Sequence, residues 1–281
     1  MTLLFRALAY RKLPMHPVLI KIPIFGGLTI HTYGVMVALG FVLGILWVVR
    51  ESKRVGVDPS KMLDLVFYII IAGIVGSRVF YVAISQRSEF LADPLVVLKM
   101  WRGGLVFYGG LIASVIVSFI FIRKYRLPVL LTADIFAPAI AIGHAVGRIG
   151  CLMAGCCYGK ALSHSAWYGI TFPDGVGSFA PSGIELFPTQ LFESFGEIVI
   201  FSLLMLVRKF KKFDGQLISV YIILYAILRY VNELFRGDQV RGFLIDPWLS
   251  TSQSISIVIF VLGVFMYLKL WRRAASINRG T

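Results

Sequence analysis

The sequence predicts an all-α integral membrane protein: seven transmembrane helices and one small folded insertion. Hydrophobic residues make up 58% of the 281 positions and charged ones only 15%. The mean hydropathy is +0.83, outside the range of soluble domains. Several apolar runs reach the roughly 20 residues needed to cross about 30 Å of hydrocarbon. The basic residues between these runs gather in alternate loops, as they do in multi-pass proteins.

The seven spans fall near residues 28–49, 63–84, 105–122, 131–149, 189–207, 216–235 and 253–271. Residues 1–27 contain Pro14, Pro17 and Pro23 and lack a continuous apolar core. They read as an N-terminal segment on the outer (periplasmic) side, with Phe5 to Lys12 as an amphipathic stretch on the membrane surface, and not as a cleaved signal. Gly73/Gly76 and Gly109/Gly110 provide places for close helix approach, and Pro138 is placed to kink the fourth span. Residues 150–188, rich in Gly, Ser and Pro with Trp167, Tyr168, Phe172 and Phe179, form the insertion between spans four and five. The whole chain, 1–281, then reads as one polytopic domain.

Orientation follows from the charges. Arg50, Lys53, Arg54 and Lys61, then Arg123, Lys124 and Arg126, then Arg208, Lys209, Lys211 and Lys212 share one side with Lys269, Arg272, Arg273 and Arg279. The positive-inside rule puts that side, and the C-terminus, in the cytoplasm, with the N-terminus and the insertion outside. Arg6, Arg11, Lys12 and Lys21 lie on the opposite side. The net charge of +14 is a topology signal and suits anionic lipid headgroups, not nucleic acid.

This topology gives each intramembrane polar residue a depth. Arg78, Arg148, Arg229 and Glu233 come late in outward-running spans, and Tyr33, Tyr108 and Glu193 early in inward-running ones. All seven fall in the outer half of the bilayer, where they can share one site. An arginine at a helix centre costs roughly 2.5–3.5 kcal/mol, less near the interface. Arg229 and Glu233 are spaced for one helix face, with Tyr225 before them, and so are Glu193 and Glu197. Arginines exceed their partners on this reading, which suits a phosphate and hence a phospholipid headgroup. Plainer readings stand beside it: a snorkelling Arg148, a structural Arg229–Glu233 pair, and structural pairing of Arg78.

Cys151, Cys156 and Cys157 lie within Gly143 to Lys160, GHAVGRIGCLMAGCCYGK. Three thiols without a histidine at ligand spacing make a poor zinc site, and His144 reads as a polar packing residue. A disulfide from Cys151 to Cys156 or Cys157 is a second reading. Small apolar residues beside a glycine-rich turn are the commonest one.

Across nearly its whole length the chain resembles the prolipoprotein diacylglyceryl transferase family. The resemblance runs through His31-Thr-Tyr-Gly-Val, Gly76-Ser-Arg-Val-Phe-Tyr, Gly104-Leu-Val-Phe-Tyr-Gly-Gly-Leu-Ile, Ala133-Asp-Ile-Phe-Ala-Pro, Gly147-Arg-Ile-Gly, Pro188-Thr-Gln-Leu-Phe-Glu and Arg229-Tyr-Val-Asn-Glu-Leu-Phe-Arg. It implies an enzyme of the bacterial inner membrane. Such an enzyme moves the diacylglyceryl group of phosphatidylglycerol onto the lipobox cysteine of a preprolipoprotein signal peptide, releasing glycerol phosphate. No metal or diffusible cofactor is implied.

By the same resemblance Arg148 binds the lipid phosphate, Arg229 stabilises the leaving group and Glu233 orients Arg229. Tyr33 matches a first-span tyrosine, Arg78 is a further lipid contact, and Arg236 sits at the mouth of the site. Asp134, Glu193, Gly147, Gly150 and Gly159 hold the architecture. Cys151, Ala154 and Cys156 stand where the common signature has Asn, Asn and Glu. Tyr108 and Phe187 replace two histidines, which leaves Tyr108 as a candidate base or hydrogen-bond donor. Arg236-Gly-Asp-Gln replaces Arg-Glu-Pro-Asp. A paralogous transferase with another acceptor and a non-catalytic lipid-binding or lipid-moving protein are the rival readings.

Overall fold

A computed structural model describes residues 16–22, 28–99, 103–174, 177–238, 242–245 and 249–277. Phe5 to Lys12, Arg241 and Arg279 lie outside the described residues. The helices are α1 (Thr32–Val55), α2 (Pro59–Ser85), α3 (Arg87–Ala92), α4 (Phe107–Lys124), α5 (Val129–Ala154), α6 (Thr189–Lys209), α7 (Gln216–Phe235) and α8 (Thr251–Ile277). Among the described residues seven of these, all but α3, are long and apolar enough to cross a membrane. Three antiparallel pairs of short strands accompany them: β1 (Val18–Ile22) with β2 (Leu28–His31), β3 (Ile170–Thr171) with β4 (Glu185–Leu186), and β5 (Phe243–Ile245) with β6 (Leu249–Ser250).

The predicted spans hold in number and order, with shifted ends: the second starts earlier, at Pro59, and the seventh runs on to Ile277. Residues 28–31 form β2, so the first helix starts at Thr32 and runs on to Val55. The fourth predicted span continues to Ala154 and takes Cys151 onto the helix.

The chain divides into two compact units, Met1–Gly44 with Ala133–Thr281, and Ile45–Thr132. In the second unit α2 opens on Pro59, with Asp58 Oδ1 accepting from the Ser60 amide at 2.8 Å. It packs on α4 through the expected glycines. A Cβ on Gly76 would meet Gly109 O at 2.6 Å, and one on Gly110 would meet Gly73 O at 2.7 Å. Only glycine permits backbones to approach so closely. Arg78 is 2% exposed. Its Nη1 donates to Gly103 O at 2.5 Å, its Nη2 to Val96 O at 2.7 Å and Lys99 O at 3.1 Å, and its Nε to Val97 O at 3.2 Å.

In the first unit α1 meets α5 by a stripe of small residues. A Cβ on Gly40 would lie 2.8 Å from Gly143 O, and one on Gly44 would lie 3.5 Å from Ala139 O. One end further on, a Cβ on Gly150 would sit 3.1 Å from Met36 Cβ and 3.2 Å from the Tyr33 ring. The i, i+3, i+4, i+7 face of α6 is buried: Gln190, Glu193, Ser194 and Glu197, then Ile200 and Leu204. Ile200 and Leu204 join Ala137, Ala141, Leu217 and Tyr221 in an apolar core. Ser194 donates to Ala145 O at 2.8 Å, joining α6 to α5 on the polar side. The helix is therefore apolar toward one end and polar toward the other along one face.

Two caps fix the remaining helices. Asp134 accepts from the amides of Gly215 (2.8 Å) and Ile218 (2.9 Å), closing the N-terminus of α7. Lys211 Nζ stands 2.9 Å from Asp134 and 2.8 Å from Asp214. Burial opposes the ammonium, but these two bonds outweigh it and hold the Lys211 pKa above its usual value. At α8, Ser250 Oγ accepts from the Gln253 amide at 3.1 Å and Gln253 Oε1 from the Ser250 amide at 3.0 Å, a reciprocal capping box.

The insertion folds on its own small core of Leu152, Ile170, Phe172, Ala180 and Leu186, with β3 and β4 alongside. Gly159 bridges to Arg236, and a Cβ on it would lie 2.3 Å from Phe187 O.

The double role of Asp134 makes a direct test of this architecture. Asp134→Asn removes the charge that holds Lys211 and weakens the α7 cap, worth about 1–2 kcal/mol for the cap alone. Thermal unfolding in detergent is expected to show a melting point lowered by at least roughly 2–4 °C.

Candidate active site

The polar residues of the first unit meet where α5 ends, α6 begins and α7 ends. Arg148 lies six residues before the end of α5, Glu193 four after the start of α6, and Arg229 six before the end of α7, which is within about 9 Å of each helix end. The Glu193 carboxylate is the hub and is 1% exposed. Its Oε1 accepts from Arg148 Nη2 at 2.7 Å and its Oε2 from Asn232 Nδ2 at 2.5 Å. Arg229 Nη1 approaches the same Oε2 at 3.7 Å.

Each arginine has a second anchor. Arg148 Nε donates to His144 Nε2 at 3.1 Å, one helical turn earlier. His144 Nδ1 lies 2.7 Å from Glu197 Oε1, so the imidazole links a glutamate to an arginine with both ring nitrogens engaged. Arg229 Nη2 stands 2.9 Å from Glu233 Oε2 and donates to Ser252 Oγ at 3.1 Å. The α8 capping box holds Ser252 at the second position of its helix, where it can receive that bond. Tyr225 packs on the His144 ring at 5.5 Å and stacks on Tyr221.

These partners leave one corner of the Arg148 guanidinium free, whereas the Nη1 corner of Arg229 faces Glu193. Among the described residues no hydrogen bond reaches Nη1 of Arg148, and Nη1 of Arg229 is buried without one. The side chains of Arg148 and Arg229 are 13% and 15% exposed. The expected surplus of arginines is not found. Two arginines stand among three glutamates (Glu193, Glu197 and Glu233), because Arg78 belongs to a separate network. Room for an anion therefore comes from the free corner of Arg148, not from excess charge.

The other expected residues take varied places. Tyr33 contacts Gly150, directly beside the Arg148 turn, and is 45% exposed. Gly147 faces open space. Arg236 makes a two-pronged pair with Asp238, with Nε to Oδ1 at 2.8 Å and Nη2 to Oδ2. Of the two readings of Arg78, the structural one matches the geometry, since its guanidinium is occupied by main-chain carbonyls of its own unit. Tyr108, in the second unit, is half exposed and packs edge-on against Phe107. Asp134 is a helix cap, far along α5 from Arg148. Phe187 is stacked on Phe235 at 4.6 Å and offers no proton acceptor.

The cysteines also converge. All three thiols are free, and their sulfurs lie within 4.8 Å of one another. Arg148 is close enough to act electrostatically on Cys151 and Cys157.

The model of the prolipoprotein diacylglyceryl transferase family matches residues 17–269. A phosphatidylglycerol–prolipoprotein diacylglyceryl transferase of Clostridium tetani is 35% identical over 254 residues, covering 90% of this chain and 97% of the relative. One from Finegoldia magna is 36% identical, covering 86% and 92%. The second such enzyme of Clostridium perfringens is 34% identical, covering 86% and 91%. The chain belongs to the prolipoprotein diacylglyceryl transferase family. It is a multi-pass bacterial membrane protein.

Three participants escape a reading of the sequence. His144 is not merely a packing residue, because it ties Arg148 to Glu197. Asn232 holds the second oxygen of Glu193, and Ser252 holds Arg229 from α8. The i, i+4 spacing of His144 to Arg148 was a usable signal. The other two contacts join distant parts of the chain.

Neutralising the hub is expected to be costly. Glu193→Gln leaves Arg148 and Arg229 buried with less compensation, a loss of about 3–5 kcal/mol. Its melting point should fall further than that of Asn232→Ala, which removes one neutral donor.

Proposed function

We propose that this chain transfers the diacylglyceryl group of phosphatidylglycerol to the cysteine thiol of a prolipoprotein lipobox, releasing glycerol phosphate. The observation that carries this is the pair Arg148 and Arg229, both held against Glu193, with the Nη1 corner of Arg148 left free. Family membership supports the same reaction, since the relatives' names carry both substrates.

The chemistry follows from the geometry. A phosphodiester leaves as a phosphate monoester, and negative charge grows on the oxygen that departs. Donors already aimed at that place stabilise the transition state without reorganising. Arg148 holds the phosphate. Arg229, held by Glu233 and Ser252, meets the leaving oxygen. His144 positions Arg148, and Tyr33 lies at the lipid-facing edge. Arg236, neutralised by Asp238, acts on local structure more than on charge.

The site lies about 9 Å from helix ends on the side of the insertion. Within the same unit, the basic residues Arg208 and Lys209 lie at the opposite end of α6 from Glu193. This supports an outer-leaflet site, an N-terminus outside and a cytoplasmic C-terminus, with the insertion as a periplasmic cap. Phosphatidylglycerol then reaches the arginines sideways from the bilayer.

The test is glycerol phosphate release from phosphatidylglycerol by purified protein, with and without a lipobox peptide. Release is expected only with peptide. Arg148→Ala should lower it by at least about 100-fold, in the range lost with one charge-stabilising donor. Release without peptide would point to another acceptor. A folded protein that binds lipid and releases nothing would leave a lipid-handling role. Arg78→Lys gives the contrast: a lower melting point, with turnover per folded molecule within about threefold of the parent, since its guanidinium is taken up by main-chain carbonyls of its own unit.

A further inference from the structure

The turn after α5 is built around its cysteines. The Gly155 amide bonds Leu152 O at 3.1 Å and the Cys156 amide bonds Cys151 O at 3.1 Å. Together these form a Schellman motif with Gly155 in the left-handed conformation (φ +69°). That motif brings the residue two past the cap back against the last turn of the helix, so Cys156 meets Cys151. Cys157 follows at φ +59°, a conformation that costs a residue with a side chain about 1–2 kcal/mol. Two buried side chains of α6 lock it there: Thr189 Oγ1 donates to Cys157 O at 2.6 Å and Gln190 Nε2 to Cys156 O at 2.8 Å. Small residues filling a turn would need none of this. A cysteine held in glycine's conformation, on a backbone pinned from a second helix, is a sulfur placed for use.

The three sulfurs, within 4.8 Å of one another, come close to the spacing a metal would impose. Zinc–sulfur bonds of about 2.3 Å put tetrahedral ligands roughly 3.8 Å apart, a difference that side-chain rotation closes. The sequence reads as a poor zinc site for want of a histidine, but the fold-back of the Schellman turn brings three sulfurs together and leaves the fourth position to a ligand from outside. Three thiolates around a divalent ion leave a net charge of −1. Arg148 and Arg236 both act electrostatically on Cys157 and suit that charge.

We propose that Cys151, Cys156 and Cys157 form a three-thiolate site for a thiophilic divalent cation such as zinc, whose open fourth position takes the acceptor thiol. This rests on the transferase reading above and adds what it lacks. The thiol must lose its proton to attack, and the imidazole in the cluster, His144, has both nitrogens engaged. Three protein ligands with a vacant fourth position is the arrangement of a catalytic zinc site, and a coordinated thiol is deprotonated outright. Cys151 lies one turn beyond Arg148 on α5, so a thiolate bound there is next to the lipid phosphate.

The step balances. The acceptor thiol binds the ion and gives its proton to water. Its sulfur attacks the glyceryl carbon bearing the phosphate, forming the C–S bond as the C–O bond breaks. The bonding pair leaves on the phosphate oxygen toward Arg229. The thioether, a weak ligand, dissociates and reopens the fourth position.

The full-length protein, reduced and in detergent, would be titrated with cobalt(II) as a spectroscopic probe for zinc. One ion per chain is expected, with sulfur-to-cobalt charge transfer and tetrahedral d–d bands. Cys156→Ser and Cys157→Ser should weaken binding by more than about 100-fold, beyond the roughly 10–100-fold cost of losing an outer-shell partner. A protein with three titratable thiols and no such bands overturns the site, and so does one with a single titratable thiol, which would hold a disulfide. A lipobox peptide should shift the d–d bands and its Cys→Ser counterpart should not; bands that ignore the thiol overturn its activation. Chelation should lower glycerol phosphate release by more than about 100-fold, restored by zinc, the scale of losing a principal charge stabiliser. Full peptide-dependent release from metal-free protein overturns this proposal and leaves the transferase reading standing. Bands that shift with thiol but no release sink the transferase reading, and with it the role given to the fourth position.

Discussion

The carboxylate of Glu193 is the interaction on which the rest of the site depends. It is buried within a membrane helix, where an isolated charge would be driven to neutralise. It is kept by Arg148 on one oxygen and by Asn232, with Arg229 behind, on the other. Those partners come from α5 and α7, so one side chain of α6 sets the positions of both neighbours. The same bonds turn the Arg148 guanidinium so that its Nη1 corner stays unspent.

A membrane helix carrying Gln190, Glu193, Ser194 and Glu197 on one face could not insert well alone. The cost is offset because every one of these residues meets a partner on a neighbouring element: Cys156 O for Gln190, Arg148 and Asn232 for Glu193, Ala145 O for Ser194, and His144 for Glu197. The far half of that face, Ile200 and Leu204, is ordinary apolar packing. Function and stability thus divide the helix along its length. The polar residues sit toward the start of the helix, and the apolar seam that holds the bundle lies toward its other end.

The insertion and the end of α5 form one mechanical piece. Leu152 belongs to the insertion's core while Arg148, one turn earlier, belongs to the charged cluster. Gly159 ties the insertion to Arg236 at the end of α7. The thiol-bearing turn lies between these attachments. It is held by Thr189 and Gln190, the first two residues of α6, the helix that also bears Glu193. The thiols are therefore registered to the arginines through the end of α5 and the start of α6.

Composition and hydropathy by themselves determined the seven membrane helices, because spanning hydrocarbon demands long apolar runs wherever they fall in the chain. Charge spacing along single helices also marked Arg229 with Glu233, and the glycines announced the close contact of α2 with α4. What the sequence left open was partnership across helices. Arg78 and Arg148 look alike as lone arginines in apolar runs. Only the tertiary structure gives Arg78 to main-chain carbonyls and Arg148 to Glu193 and His144. The cysteines show the same limit. Without a histidine partner they suggested no metal site, and the fold-back after Ala154 brought three sulfurs together. Local patterns report what each helix must bury, whereas which buried groups meet is decided by how distant segments pack.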